Sequence, residues 1–189
     1  MTISQTRILM ADEIKMVLNH LQYHPHLRAI FRLSCCCGLR SKEIRGLKTG
    51  DVVTEGPRPC IRIRAAITKG KEGKRKGRII PLWWDSGTLK DLRAYKGSIK
   101  EGYFLTNLDG KPYSRSLLAR KWGYCLRCLG PERASQLSIH CGRHSFASHS
   151  LHVGRSLIEV KEALGHSNVS TTSVYAHMIP RDGLRDVFA

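Results

Sequence analysis

The sequence predicts an α+β domain, mainly α-helical with a small antiparallel β-sheet or hairpin. Three observations predict it. Apolar residues recur at three- and four-residue spacing over most of the chain. The spacing switches to two in one basic-flanked stretch. Ser, Gly and Pro stand where helices should start and stop. At 189 residues the chain fits one domain with a sizeable core. Its 41% hydrophobic and 25% charged residues are the balance of a globular chain rather than a disordered one. No repeat, low-complexity tract or linker divides it, so residues 1–189 are expected to form a single domain.

Ile14, Val17, Leu18 and Leu21 fall on one face of a helix. Leu27, Ile30, Phe31 and Ser34 continue the pattern into a second helix that stops at Gly38. Ser41 is the expected cap of a short third helix through "SKEIRGL", ending near Gly46, and "GDVVTEGPRP" reads as loop. From Ile61 the period is two: Ile61, Ile63, Ala65 and Ile67 face one way, Arg62, Arg64 and Ala66 the other, as in a half-buried strand. The strand runs into "TKGKEGKRKGR" and returns as "RIIPL", which predicts a β-hairpin with a cationic tip. "GTLKDLRAYKG" then reads as a helix, "YFLTN" as a short edge strand and "DGKP" as a turn. Ser114 caps a longer helix striped by Leu117, Leu118, Trp122, Cys125, Leu126 and Leu129. Helices are expected over 141–153, over 156–164 with Ser156 as cap and Gly165 as stop, over 170–177, and over 181–188.

Lys plus Arg number 32 against 15 Asp plus Glu, a formal charge of +17. Solubility does not require so much, and the natural partner is a polyanion whose condensed counterions such a surface releases. A ribosomal-type RNA binder and a merely basic protein are the alternatives on charge alone. No apolar run reaches the roughly 18 residues needed to span a bilayer, and the N-terminus lacks the apolar centre of a signal peptide. A cytoplasmic, DNA-associated location without membrane attachment is therefore expected. Seven cysteines, three of them consecutive, make a poor disulfide framework and are expected to be reduced and mostly buried. His140 and His144 form an HxxxH pair and Cys125 and Cys128 a CxxC. The first lacks the glutamate of a zinc protease and the second lacks a matching cysteine pair, so no metal and no cofactor are expected.

Three separated clusters have the composition of a phosphate site: "GLRSKEIRGL" around Arg40, the hairpin around Lys69, and "HCGRHSF" followed by "LGHSNVSTTSVY". His140 and Arg143 are three apart, so on a helix they can grip one anion together. Taken singly, an Arg or His in so basic a chain is most often surface charge or packing. Five of the six tyrosines need no explanation beyond an amphipathic ring, whereas Tyr175 follows an "LGHS" turn and an "STT" helix start.

In this order and spacing, "GLRSKE", "TKGK", "HCGRH", "LGHS" and "STTSVYAH" resemble the motifs of the tyrosine recombinases, the phage-integrase superfamily, over about residues 10 to 180. The resemblance implies the catalytic-domain fold of those DNA breaking-rejoining enzymes. It implies a site-specific recombinase of integrase or invertase type that acts on double-stranded DNA and assembles on it as a dimer or tetramer. By that resemblance, the helical core-binding domain that family members carry ahead of this part is expected to be missing from residues 1–189, which are expected to be either a fragment or a compact catalytic-domain enzyme.

Carried over residue by residue, the resemblance makes Tyr175 the nucleophile and leaves a 3′-phosphotyrosyl bond and a free 5′-hydroxyl. Arg40 and Arg143 clamp the non-bridging oxygens, His140 is the general base and His166 donates a hydrogen bond to the phosphate. Lys69 is the general acid, with Lys71 competing for the role because this hairpin is longer than the family's usual one. Glu43 supports the site from behind. Lys71, Lys74, Arg75, Lys76 and Arg78 on the hairpin are the expected DNA contacts. Two other readings remain beside this one: a type IB topoisomerase-like relaxing enzyme, and a non-catalytic basic DNA-binding protein on the same fold.

Overall fold

The computed structural model describes residues 7–68, 76–82, 84–166 and 172. Helices α1 (Ala11–His20) and α2 (Pro25–Phe31) open the chain. Val17 and Leu21 are buried along the expected seam, with Ile14 and Leu18 packed at its margin. α2 continues directly into one π-helical turn, Arg32–Cys36, in the middle of the domain. Gly38 ends it at φ +66°, where a Cβ would come within 2.5 Å of the Phe146 ring, so neither the backbone nor the space admits an L side chain. All seven cysteines are free thiols, five of them buried. Burial pushes the Cys35 and Cys37 thiols well up, which leaves them as inert small core residues.

Helix α3 (Ser41–Gly46) is capped differently from the expectation. Its N-cap is Arg40 rather than Ser41, and the capping group is Glu43, whose Oε2 accepts the Arg40 N–H at 2.8 Å. The segment after it is not all loop either. A 3₁₀ turn at Thr49–Asp51 leads into β1 (Val52–Val53), which pairs antiparallel with β2 (Cys60–Ile63), Val52 opposite Ile61. β3 (Arg78–Pro81) pairs antiparallel with the other edge of β2, Ile80 opposite Ile61, completing a three-stranded sheet in the order β1-β2-β3.

The hairpin is thus present, but β2 stops at Ile63 instead of continuing to Ile67. Arg64 turns inward, its Nε donating to Asp51 at 2.9 Å and its Nη2 to the Gly46 carbonyl at 2.7 Å. Ala65–Ile67 then wind into a 3₁₀ turn, with Ile67 seated against Gly46. Tertiary partners outweigh the local alternation there.

Asp85 caps α4 (Ser86–Gly97), accepting the N–H groups of Gly87 and Thr88. "YFLTN" is not a strand. It makes only the isolated bridges Lys48–Tyr103 and Thr106–Pro112, while Phe104 and Leu105 are buried from a loop. The following turn forms as expected, with Asn107 Oδ1 accepting from the Asp109 and Lys111 N–H groups. Ser114 caps α5 (Arg115–Cys125), and Trp122 stacks on Phe31 with ring centroids 5.6 Å apart. α6 (Pro131–Ser135) is a single proline-started turn, too short for periodicity to reveal.

α7 (Ile139–His152) begins two residues earlier than expected and packs across the π turn, while α8 (Leu157–Leu164) has the expected Ser156 cap and left-handed Gly165 stop. The helices expected over 170–177 and 181–188 lie outside the described residues, except for Thr172. One core runs from α1 through the sheet to α5. A second, built on Ile8, Phe146, Leu151, Val160 and Leu164, fastens α7 to α8. Among the described residues no helix is long and apolar enough to cross a membrane.

Candidate active site

Glu43 stands at the centre of the charged groups. Its side chain is fully buried, and a buried carboxylate is tolerated only when paired and hydrogen-bonded. Oε1 accepts from Arg40 Nη1 at 3.1 Å and from Arg78 Nη1 at 2.8 Å, Oε2 accepts from Arg78 Nη2 at 2.9 Å, and Arg143 Nη1 lies 4.0 Å away. Burial pushes this carboxyl's pKa up. The hydrogen bonds and charge of Arg78, the Arg40 N–H and the Arg143 charge outweigh it and hold the pKa below the usual carboxylate range.

Arg143 is 4% exposed. Its Nη1 donates to the Gly38 carbonyl and its Nη2 to the Leu164 carbonyl, each at 2.6 Å, joining the exit of the π turn to the end of α8. His140, one helical turn earlier on α7, is exposed and borders an open cleft of about 500 Å³ shared with Arg7, Gln136 and His144. The i,i+3 pair therefore divides between two environments, the arginine turned in under α8 and the histidine out toward the cleft. Burial, then the charges of His140, Arg143 and Arg7, push the His144 pKa down to about 4.

His166 directly follows the left-handed Gly165. Burial, then the charges of Arg143, Arg40, Arg78 and His144, push its pKa down to about 4, so the ring is neutral at pH 7. Its Nδ1 lies 2.9 Å from the hydroxyl of Thr172, which is itself buried.

Of the hairpin cations, Lys76 is exposed. Arg78 is not disposed like it. Its side chain is only 9% exposed, two nitrogens hold Glu43, and Nε donates to the Ala163 carbonyl at 2.6 Å. The signal for this inward turn was present in the alternation of β3: Arg78 shares a face with buried Ile80, while Ile79 between them is 62% exposed. Thr172 carried no comparable signal beyond its place in "STT". At the base of the hairpin, Lys42 Nζ donates to the Thr68 carbonyl at 3.2 Å. Lys69, Lys71, Lys74, Arg75 and Tyr175 lie outside the described residues.

The fold thus brings Arg40, Glu43, Arg143 and His166 together from three distant segments, with Arg78 added from a fourth. Two cationic forks beside a neutral imidazole are suited to a phosphodiester. Among the described residues no group of three or more His, Cys, Asp or Glu is placed to hold a metal ion.

This architecture is the fold of tyrosine recombinase catalytic domains. The crystal structure of a XerA recombinase matches with a TM-score of 0.76 over 96% of this chain and 61% of that one, at 23% identity. The catalytic domain of bacteriophage HP1 integrase matches with a TM-score of 0.60 over 92% of this chain and 88% of its own, at 22% identity. The chain belongs to the phage integrase family, whose model matches residues 7–181. Tyrosine recombinase XerC of Haemophilus influenzae (strain PittEE) is 32% identical over 157 residues, 80% of this chain and 48% of XerC. Tyrosine recombinase XerA of Thermococcus kodakarensis is 32% identical over 174 residues, 91% of this chain and 58% of that protein. The chain spans about half the length of the curated relatives it matches.

Proposed function

We propose that the protein is a site-specific DNA recombinase of the tyrosine type, and that Tyr175 is its nucleophile. The observation that carries the proposal is the convergence on His166 of Arg143, Arg40 and Arg78 around a buried, ionised Glu43. The motif order supports placing the other groups beside them: Tyr175, His140 as base, and Lys69, or Lys71 in its stead, as acid.

The tyrosine oxygen attacks the phosphorus as its proton passes to His140, and the bond to the 5′-oxygen breaks as the acid supplies that oxygen with a proton. Arg40 and Arg143 stabilise the charge on the equatorial oxygens, and losing either should slow the step on the order of 10² to 10³. The phosphotyrosyl bond keeps the energy of the bond it replaced, so a second 5′-hydroxyl can reverse the step without a nucleotide cofactor. Double-stranded DNA is the substrate and partner, contacted by the exposed hairpin cations such as Lys76. Exchange of strands between two duplexes calls for self-assembly into a dimer or tetramer. Relatives captured as solved structures include a XerH recombinase bound to its difH substrate in pre-cleavage and post-cleavage complexes.

The test is a pool of nicked suicide duplexes with randomised arms, incubated with the wild type and with Tyr175→Phe. A protein–DNA adduct that survives denaturation in the wild type and is absent from the variant is the expected result. An adduct that persists in the variant, or none from the wild type, overturns the proposal.

A further inference from the structure

We propose that Arg78 is a positioning residue of this site, holding Glu43 in place behind Arg40 and Arg143 and fastening that group to the turn that carries His166. The inference rests on the recombinase reading and adds to it a residue whose sequence context pointed instead to the DNA surface.

The geometry assigns the role. Arg78 lies on β3, its fork meets both oxygens of Glu43 on α3, and its third nitrogen meets the last turn of α8 through the Ala163 carbonyl. The stem lies flush against the left-handed residue before His166: a Cβ on Gly165 would sit 3.0 Å from Arg78 Cδ and 3.1 Å from Nη1. One side chain therefore sets three elements relative to one another, two of which carry groups proposed to touch the phosphate.

Its charge has a second consequence. Glu43 must be anionic to hold Arg40, yet an anion beside two arginines competes with phosphate for their donors. Arg78 takes one contact on each carboxylate oxygen, and Glu43 is left holding the Arg40 guanidinium by one nitrogen at 3.1 Å while Arg143 stays at 4.0 Å. A lysine cannot replace it, because a single ammonium cannot span both carboxylate oxygens and the Ala163 carbonyl.

Arg78→Met, Arg78→Lys and Arg78→Met/Glu43→Gln test the assignment by separating DNA affinity from the single-turnover cleavage rate at saturating duplex. The expected result is a cleavage rate roughly 10- to 100-fold lower in both single variants, the scale for groups that orient a site. DNA affinity and its salt dependence should stay within about twofold, and the double variant should be no slower than Arg78→Met. Weaker binding with a salt slope reduced by about one and an unchanged saturated rate is the signature of a phosphate contact and overturns the assignment. A lysine variant at wild-type rate overturns it too, since charge alone would then suffice.

A reading independent of cleavage comes from the His166 ring signals in an NMR titration. The ring should titrate near pH 4 in the wild type and move toward 6.5 in Arg78→Lys as the turn loosens, and an unmoved titration refutes the fastening. Absence of any Tyr175-dependent adduct from the wild type defeats the recombinase reading, and this titration still decides whether Arg78 holds the turn.

Discussion

Glu43 accepts both the main-chain N–H and the guanidinium of Arg40, at 2.8 and 3.1 Å, so one carboxylate caps α3 and holds the arginine at that helix's start. Substituting it should therefore cost twice over. Glu43→Ala removes a cap, about 1 kcal/mol, and leaves Arg78 buried without its counter-ion, a loss of about 3–5 kcal/mol for a broken buried pair. Ser41→Ala, by contrast, should change stability by less than about 0.5 kcal/mol, because Ser41 lies inside the helix and caps nothing. Urea denaturation at pH 7 measures both, and a Ser41→Ala loss near 1 kcal/mol would restore the hydroxyl cap that the sequence suggested.

Gly142 lies within α7 between His140 and Arg143, where propensity alone would favour alanine by about 1 kcal/mol. The packing reverses the sign. A Cβ there would overlap Ser34 Oγ and come within 3.0 Å of the Trp122 ring, and Ser34 cannot simply rotate away, because its hydroxyl donates to the Ile139 carbonyl at 2.8 Å. Gly142→Ala should therefore destabilise the protein by about 1–3 kcal/mol. A thermal midpoint at or above that of wild type would show that α7 can lift off the π turn without cost.

What the sequence made legible follows from how local each cause is. The caps at Ser114 and Ser156 and the stop at Gly165 depend on neighbours within four residues, and all appear where expected. The end of β2 depends on Asp51 and Gly46, which capture Arg64 from 13 and 18 residues away. No alternation pattern contains that information. The site divides in the same way. Arg40 and Glu43 share a helical turn, so their pairing was readable, whereas the meeting of Arg78 with Glu43 is a contact across 35 residues that only the folded sheet creates. His140 and Arg143 show the limit of spacing as evidence: three residues apart, they face a cleft and a core respectively.

Thr172 should act through His166. A neutral imidazole has one N–H, and if Nε2 is to donate toward a phosphate, Nδ1 must accept from the Thr172 hydroxyl that lies 2.9 Å away. Thr172→Val keeps the shape and removes the donor, which frees the ring to take the other tautomer. Single-turnover cleavage should fall roughly tenfold in Thr172→Val and remain near wild type in Thr172→Ser. Equal rates in all three proteins would mean that the tautomer is set elsewhere.

Three histidines should give the protein a pH-dependent stability in a defined window. Burial, followed by the Lys121 charge, pushes His26 down to about 4 where it meets the Tyr113 hydroxyl, and His144 and His166 are pushed down to about 4 beside the arginines. Each titrates near 6.5 when unfolded, so between pH 6.5 and 4 the unfolded chain binds more protons and stability rises with pH. The contribution is complete above 6.5, is lost as pH falls toward 4, and does not change further below that. There the carboxyls of Glu13 and Glu43, held below the usual carboxylate range, take over in the same direction. Each proton is worth at most about 1.4 kcal/mol per pH unit, and solvent screening of these partly exposed rings makes three such slopes an upper bound. Urea midpoints at constant ionic strength should fall steadily from pH 6.5 to 4.5, and His26→Gln should flatten the slope by about one proton. A midpoint constant across that range would mean that the rings take up protons without leaving their sites.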